Sequence, residues 1–176
     1  MSHRGKYSIF DKEKIVAFAL ILIIAGAIGF VIGRSIGEEE KPVTFWIMCK
    51  PGSQVNARRT PDEKAEIVGF LETCDEFRTD GEIRNGYVHA LGIGEYGEAW
   101  IYCGFVATEK PEAVFENYVC VAKTRVACRR WISGPQIEGR GWLRNGSCVQ
   151  VFYKTSEWAV TNRGYIMSEW LEVDPL

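Results

Sequence analysis

Two patterns of apolar and polar positions divide the chain. Residues 15–33 form 19 consecutive positions of mostly Ile, Ala, Leu, Val and Phe, with no charge and no proline. About 20 such residues carry a helix across the hydrocarbon of a bilayer, so this run predicts one transmembrane α-helix. From residue 44 onward the pattern changes to short aromatic or β-branched runs separated by turn signals, which predicts strands. In the first half of that region the runs are 46–48, 55–57, 67–71, 76–78, 87–91 and 99–102, punctuated by Asp80-Gly81 and Asn85-Gly86. Asn145-Gly146 and Arg163-Gly164 punctuate the second half. Five or so strands in about 60 residues are too few for a sandwich, so a small curled sheet or barrel is expected.

Arg4, Lys6, Lys12 and Lys14 precede the apolar run, whereas Arg34 and Lys41 follow it with Glu38, Glu39 and Glu40 between. That bias places the N-terminus in the cytoplasm and the remainder outside. A cleaved signal peptide is the alternative, and Ala25-Gly26-Ala27 has the small-residue spacing of a cleavage site. The chain stays apolar through Ile28, Phe30, Val31 and Ile32, which favours the anchor. Ala25, Gly29, Gly33 and Gly37 recur every four residues and would let a second helix approach closely, the basis for expecting a homo-oligomer through the membrane. The expected divisions are a cytoplasmic tail at 1–14, a transmembrane helix at 15–36 and a linker at 37–43. A first unit at 44–107, a linker at 108–116 and a second unit at 117–176 follow.

The outer region holds an internal repeat. The segment from Cys49 to Arg59 lies over that from Cys120 to Arg130 at an offset of 71, with Cys, Val and Arg-Arg in register. Gly69-Phe70-Leu71 answers to Gly141-Trp142-Leu143, Gly86-Tyr87-Val88 to Glu157-Trp158-Ala159, and Trp100-Ile101 with Phe105-Val106 to Tyr165-Ile166 with Trp170-Leu171.

The first unit resembles a bacterial SH3 (SH3b-like) domain. It has Val55-Asn56-Ala57-Arg58, Pro61 in a polar loop, Ile67-Val68-Gly69-Phe70-Leu71, an acidic turn at Asp75, Asn85-Gly86-Tyr87-Val88, and Gly97-Glu98-Ala99-Trp100-Ile101 ending at Phe105-Val106. The second unit is similar but diverged, keeping residues 126–129, Gly141-Trp142-Leu143, Asn145-Gly146-Ser147, Glu157-Trp158-Ala159-Val160, Gly164-Tyr165-Ile166 and Trp170-Leu171. The resemblance implies two small SH3-like β-barrels, so that with the apolar run the expected fold is all-β, two barrels preceded by a single transmembrane α-helix. It also implies a binding module, often for peptidoglycan or its cross-bridge peptides.

Charge narrows the partners. Residues 38–176 hold 16 basic and 21 acidic side chains, a poor match to nucleic acid or an anionic bilayer surface. Gly92-Ile93-Gly94-Glu95-Tyr96-Gly97 spells a dinucleotide-binding loop, but a strand rather than a helix follows and Glu95 and Glu98 would repel phosphate. It reads as a hairpin loop, and no cofactor is expected. His89 shares its unit with Cys49, Cys74 and Cys103, the makings of a thiol–imidazole pair, but a single His on an alternating strand is more often a packing or surface residue. No catalytic residue is assigned. No two cysteines stand in metal-binding spacing, so no metal site is expected. An outward location permits disulfides, with Cys128–Cys148 and Cys49–Cys103 the favoured pairs; buried free thiols are the alternative.

Binding is expected at aromatic residues that a small barrel cannot all bury. The candidates are Tyr87, Trp100, Tyr102, Trp158 and Tyr165, with core packing the alternative for Trp100 and Trp158. Arg58 and Arg129 recur as candidates for a carboxylate ligand or for bracing a loop. The sequence therefore predicts a single-pass membrane protein with extracytoplasmic domains, a non-enzymatic module that binds cell-wall peptide or an envelope protein. The alternative is a structural subunit of a membrane-embedded secretion or conjugation machine.

Overall fold

A computed structural model of the protein describes residues 42–174 apart from Tyr96 and Arg140. The expected membrane helix, with Ala25, Gly29, Gly33 and Gly37, lies outside the described residues. Among the described residues no helix is long and apolar enough to cross a membrane. Everything regular there is strand, apart from two single turns of 3-10 helix.

The first unit runs through β1 (Val43–Ile47), β2 (Val55–Arg58), β3 (Ile67–Leu71), β4 (Glu76–Thr79), β5 (Ile83–Arg84), β6 (Tyr87–Leu91) and β7 (Glu98–Tyr102). The 3-10 turn Cys103–Phe105 leads into β8 (Val106–Ala107). The sheet is antiparallel in the order β3-β2-β7-β6-β4-β1-β8, with β5 paired to β6. Alternation drives the assignment: along β4, Phe77 and Thr79 point inward while Glu76 and Arg78 face water. The β5–β6 hairpin turns on Asn85 and Gly86, whose φ values of 50° and 78° suit Asn-Gly better than any other pair. Ile47, Val55, Ala57, Phe77, Val88 and Ile101 are central to this unit's core.

The second unit comprises β9 (Glu112–Cys120), β10 (Val126–Ala127), β11 (Trp142–Leu143), β12 (Cys148–Lys154), β13 (Trp158–Thr161) and β14 (Gly164–Met167). The 3-10 turn Ser168–Trp170 and β15 (Leu171–Val173) complete it. Its main sheet runs β14-β13-β12-β9-β15, beside a two-stranded β10-β11 ribbon. Val126, Leu143, Val149, Val151 and Ile166 lie in its own core. Residues 112–116, expected in a linker, belong to β9, where Glu112 and Ala113 pair with Lys154 and Tyr153. The joint between units is thus only residues 108–111. Polar composition suggested a longer linker, but this stretch of β9 is exposed, and exposed strands tolerate Glu and Asn.

Strand pairing in the two halves corresponds at several positions. Val55 faces Leu71 and Asn56 faces Phe70, while Val126 faces Leu143 and Ala127 faces Trp142. Likewise His89 faces Trp100 and Val160 faces Tyr165. One alignment requires correction: Cys49 does not correspond to Cys120. The N–H of Ile47 bonds to the Asp75 carbonyl and its own carbonyl accepts from Cys74 N–H, as Cys120 does with Ser147 and Gly146. Ile47 is therefore the counterpart of Cys120. The first unit absorbs two extra residues in the turn after β1, where Ser53 N–H bonds to Lys50 O and Gly52 adopts φ 73°.

A third apolar cluster joins the units, with Met48 and Ala107 from the first against Trp158, Val160 and Tyr165 from the second. Tyr165 Oη donates to Met48 O at 3.0 Å and Ile132 N–H donates to Gly104 O at 2.9 Å. Trp131 meets Tyr102 edge-on, with centroids 5.6 Å apart, and its indole fills the space a Cβ on Gly104 would need. Across the joint, the Glu109 carboxylate accepts from the Ser156 hydroxyl at 2.7 Å and its N–H at 3.0 Å. Those two hydrogen bonds hold the Glu109 carboxyl below its ordinary pKa.

Candidate functional site

Most of the aromatic residues expected to line a groove are instead buried. Tyr165 is 1% exposed, Tyr87 and Trp158 are each 8% and Trp100 is 9%. The reason is the interface between units, which covers the face that an isolated barrel would have left open to Trp158 and Tyr165. Burial raises the pKa of Tyr165 and of Tyr87. Tyr102 is half-buried, wedged edge-on between Tyr87 at 5.4 Å and Trp131. Tyr87, Trp100, Trp158 and Tyr165 are thus packing residues, and Tyr102 alone of the five keeps substantial exposure.

Arg58 and Arg129 occupy equivalent places, Arg58 opposite Trp100 and Arg129 opposite Tyr165. Both brace their own loops. Arg58 Nη1 donates to Ala65 O at 2.7 Å, and Arg129 Nη1 donates to Gly134 O at 2.6 Å. The neighbouring Arg59 pairs with Glu66 at 3.0 Å in the open.

A different surface is available. Arg125, Val126, Arg129, Trp142, Met167 and Trp170 line a groove of about 300 Å³ on the second unit, so Arg129, expected at a ligand site, also borders it. Trp142 is 49% exposed there, and Arg125 has a solvated guanidinium. Residues 122–147 around it carry six basic side chains and one acidic one, in a chain whose net charge is -2. Its counterpart in the first unit is Phe70, 59% exposed on the edge strand β3. Period-2 alternation could have found both: Leu71 and Leu143 face inward, so Phe70 and Trp142 must face outward.

All six cysteines are free thiols, so neither expected disulfide is formed. Cys128 lies in the core beyond β10, which pairs only with β11, while the exposed Cys148 starts β12 and aims its Sγ at Asp174 Oδ2, 3.7 Å away. Cys49 donates to Ser53 O and accepts from the Thr73 hydroxyl, both at 3.2 Å. Burial raises the pKa of Cys49, Cys74 and Cys128, and pushes Cys103 up to about 11. Thiols held protonated in this way are weak nucleophiles.

His89 addresses carboxylates rather than a thiol. Its Nδ1 lies 2.8 Å from Asp80 Oδ2 and its Nε2 lies 3.5 Å from Glu98 Oε2. The ring packs on Trp100, centroids 4.9 Å apart and planes 32° off parallel. Asp80 sits below its ordinary pKa: burial raises it, but the Glu82 N–H and His89 together outweigh that effect. The glycine-rich segment closes the β6–β7 hairpin, with Gly92 N–H bonded to Gly97 O at 2.7 Å, and leads into a strand.

No protein-family model matches the chain, and no curated protein matches it. Among solved structures, it is similar to NlpC1 from Trichomonas vaginalis, with 14% identity over 78% of this chain and 48% of that one, TM-score 0.32. NlpC2 from the same organism shows 15% identity over 78% and 50%, also with TM-score 0.32. The chain spans about half the length of these two proteins, and a likeness this distant carries no weight for function.

Proposed function

We propose that this protein is a membrane-anchored, extracytoplasmic binding module with two SH3-like units and no catalytic role. The observation that carries the reading is the groove of Trp142, Met167 and Trp170 with Arg125 at its edge. Two indoles and a thioether give contact area with little loss of side-chain freedom, and the guanidinium meets a carboxylate. A short peptide bearing apolar and carboxylate groups suits that lining, which favours cell-wall peptide or an acidic segment of an envelope protein. The apolar run at 15–33 would hold the units at the outer membrane face.

The test is co-sedimentation of residues 42–176 with purified peptidoglycan. Trp142→Ala and Arg125→Ala should each weaken sedimentation at least tenfold, which corresponds to about 1.4 kcal/mol. Their melting temperatures should stay within a degree or two of the parent. Failure of the unsubstituted protein to sediment overturns wall binding.

A second reading, a structural subunit of a membrane machine, has one observation in its favour. Strand β3 is a sheet edge carrying exposed Ile67 and Phe70, a surface to which a partner protein can add a strand. Cross-linking from position 70 to a single envelope protein would favour it.

A further inference from the structure

The β4–β5 turn and strand β6 bring together a set of donors unrelated to the groove. One ligand atom from each of Asp80, Glu82 and His89 falls within a 4.8 Å span. We infer that this trio is a binding site for a divalent first-row transition ion, with His89 Nδ1 and one carboxylate oxygen each from Asp80 and Glu82 as ligands.

The chemistry of the donors supports the assignment. One imidazole with two carboxylates is a mixed set that suits zinc, manganese or cobalt better than calcium, which prefers oxygen alone. The Nδ1 to Oδ2 separation of 2.8 Å is close to the edge of a coordination polyhedron with bonds of about 2.1 Å. The other ring nitrogen is also addressed. Nε2 lies 3.5 Å from Glu98 Oε2, so a carboxylate stands beside the far nitrogen and can take its N–H when a metal displaces the proton that Nδ1 shares with Asp80. Trp100 packs on the imidazole face and limits its rotation.

The backbone prepares the carboxylates as well. Asp80 Oδ1 accepts from Glu82 N–H at 3.0 Å, which leaves Oδ2 to turn toward the metal. Strand pairing places His89 directly over this turn, its N–H bonded to Glu82 O at 2.9 Å. Arg84 opposes a cation by pairing with Glu82 Oε1, but that pair is largely exposed and the second Glu82 oxygen remains. Three carboxylates, from Asp80, Glu82 and Glu98, outnumber that one guanidinium. The expectation that no metal binds came from cysteine spacing, which has no bearing on a His–carboxylate set assembled across a hairpin.

The chain contains two histidines, His3 and His89, which makes the test direct. Manganese(II) added substoichiometrically to the purified full chain should broaden the ring proton resonances of His89 while those of His3 stay sharp. Cobalt(II) should bind one equivalent with d–d absorption and no thiolate charge-transfer band. His89→Gln and Asp80→Asn should each weaken cobalt binding at least tenfold with circular dichroism unchanged. Arg84→Gln should tighten it by removing the competitor for Glu82. Equal broadening of both histidines, a thiolate band, or binding indifferent to His89→Gln would overturn the site. The manganese experiment needs no variant, so it decides the matter even if a substitution impairs folding.

Discussion

The Tyr165 hydroxyl of strand β14 donates a 3.0 Å hydrogen bond to the Met48 carbonyl of the other unit, and both residues are buried. A tyrosine expected to meet a ligand is thus a fastener between the repeats. Tyr165→Phe leaves that carbonyl without its donor and should cost about 1 to 3 kcal/mol in urea denaturation. Tyr165→Ala also empties a core position and should cost about 3 to 5 kcal/mol. Unlike Trp142→Ala, it should lower stability and peptidoglycan sedimentation together.

Gly104 permits a close approach of Trp131 to the first unit. A methyl group there overlaps the Trp131 indole and the Tyr102 ring, so Gly104→Ala forces the interface apart and should destabilise by about 1 to 3 kcal/mol. Limited proteolysis should then cleave within residues 108–111, while each unit keeps its own core. Gly52→Ala is a useful contrast, because its Cβ would meet nothing within 4 Å and only its φ of 73° is unfavourable.

Cys74 sits at φ 75° in the turn where the second unit has Gly146, also at φ 75°. A side chain in that left-handed conformation costs about 1 to 2 kcal/mol. Cys74→Gly should therefore stabilise by about 1 kcal/mol, read as a higher urea midpoint, even though glycine adds freedom to the unfolded chain.

Cys103 gives a pH prediction with a definite sign. Burial raises its folded-state pKa from 9.0 to about 11, so the folded protein holds this proton more tightly than the unfolded chain. Its contribution to stability is complete below pH 9 and is lost as the pH rises toward 11. Cys103→Ala should flatten the alkaline decline of the urea midpoint. In alkylation kinetics the exposed Cys148 should react well before Cys103.

The all-β class was legible because alternation and turn residues are local signals. Asn85-Gly86 marks its hairpin without reference to the rest of the fold. The exposed Phe70 and Trp142 were also within reach, since one inward neighbour fixes the facing of the next residue. Tyr165 and Trp158 were not. Whether an aromatic side chain on a small sheet meets water depends on what docks against it, and the docking surface of Met48, Phe105 and Ala107 lies more than 50 residues away in sequence. The slip at Cys49 has another cause: matched letters outweighed a two-residue difference in turn length, which only the hydrogen-bond pattern reveals. The trio of Asp80, Glu82 and His89 is likewise invisible until the hairpin pairs.

Each unit brings its first and last strands together, β1 with β8 and β9 with β15. A module whose ends lie side by side can be duplicated head to tail with a short joint and no broken sheet, and the second copy can then stack on the first. The row Trp158, Val160 and Tyr165 makes that stacking contact; its counterpart in the first copy is Tyr87, His89 and Trp100. There the middle position is a histidine beside Asp80 and Glu98, so a polar side chain stands where the stacking row of the second unit has the apolar Val160.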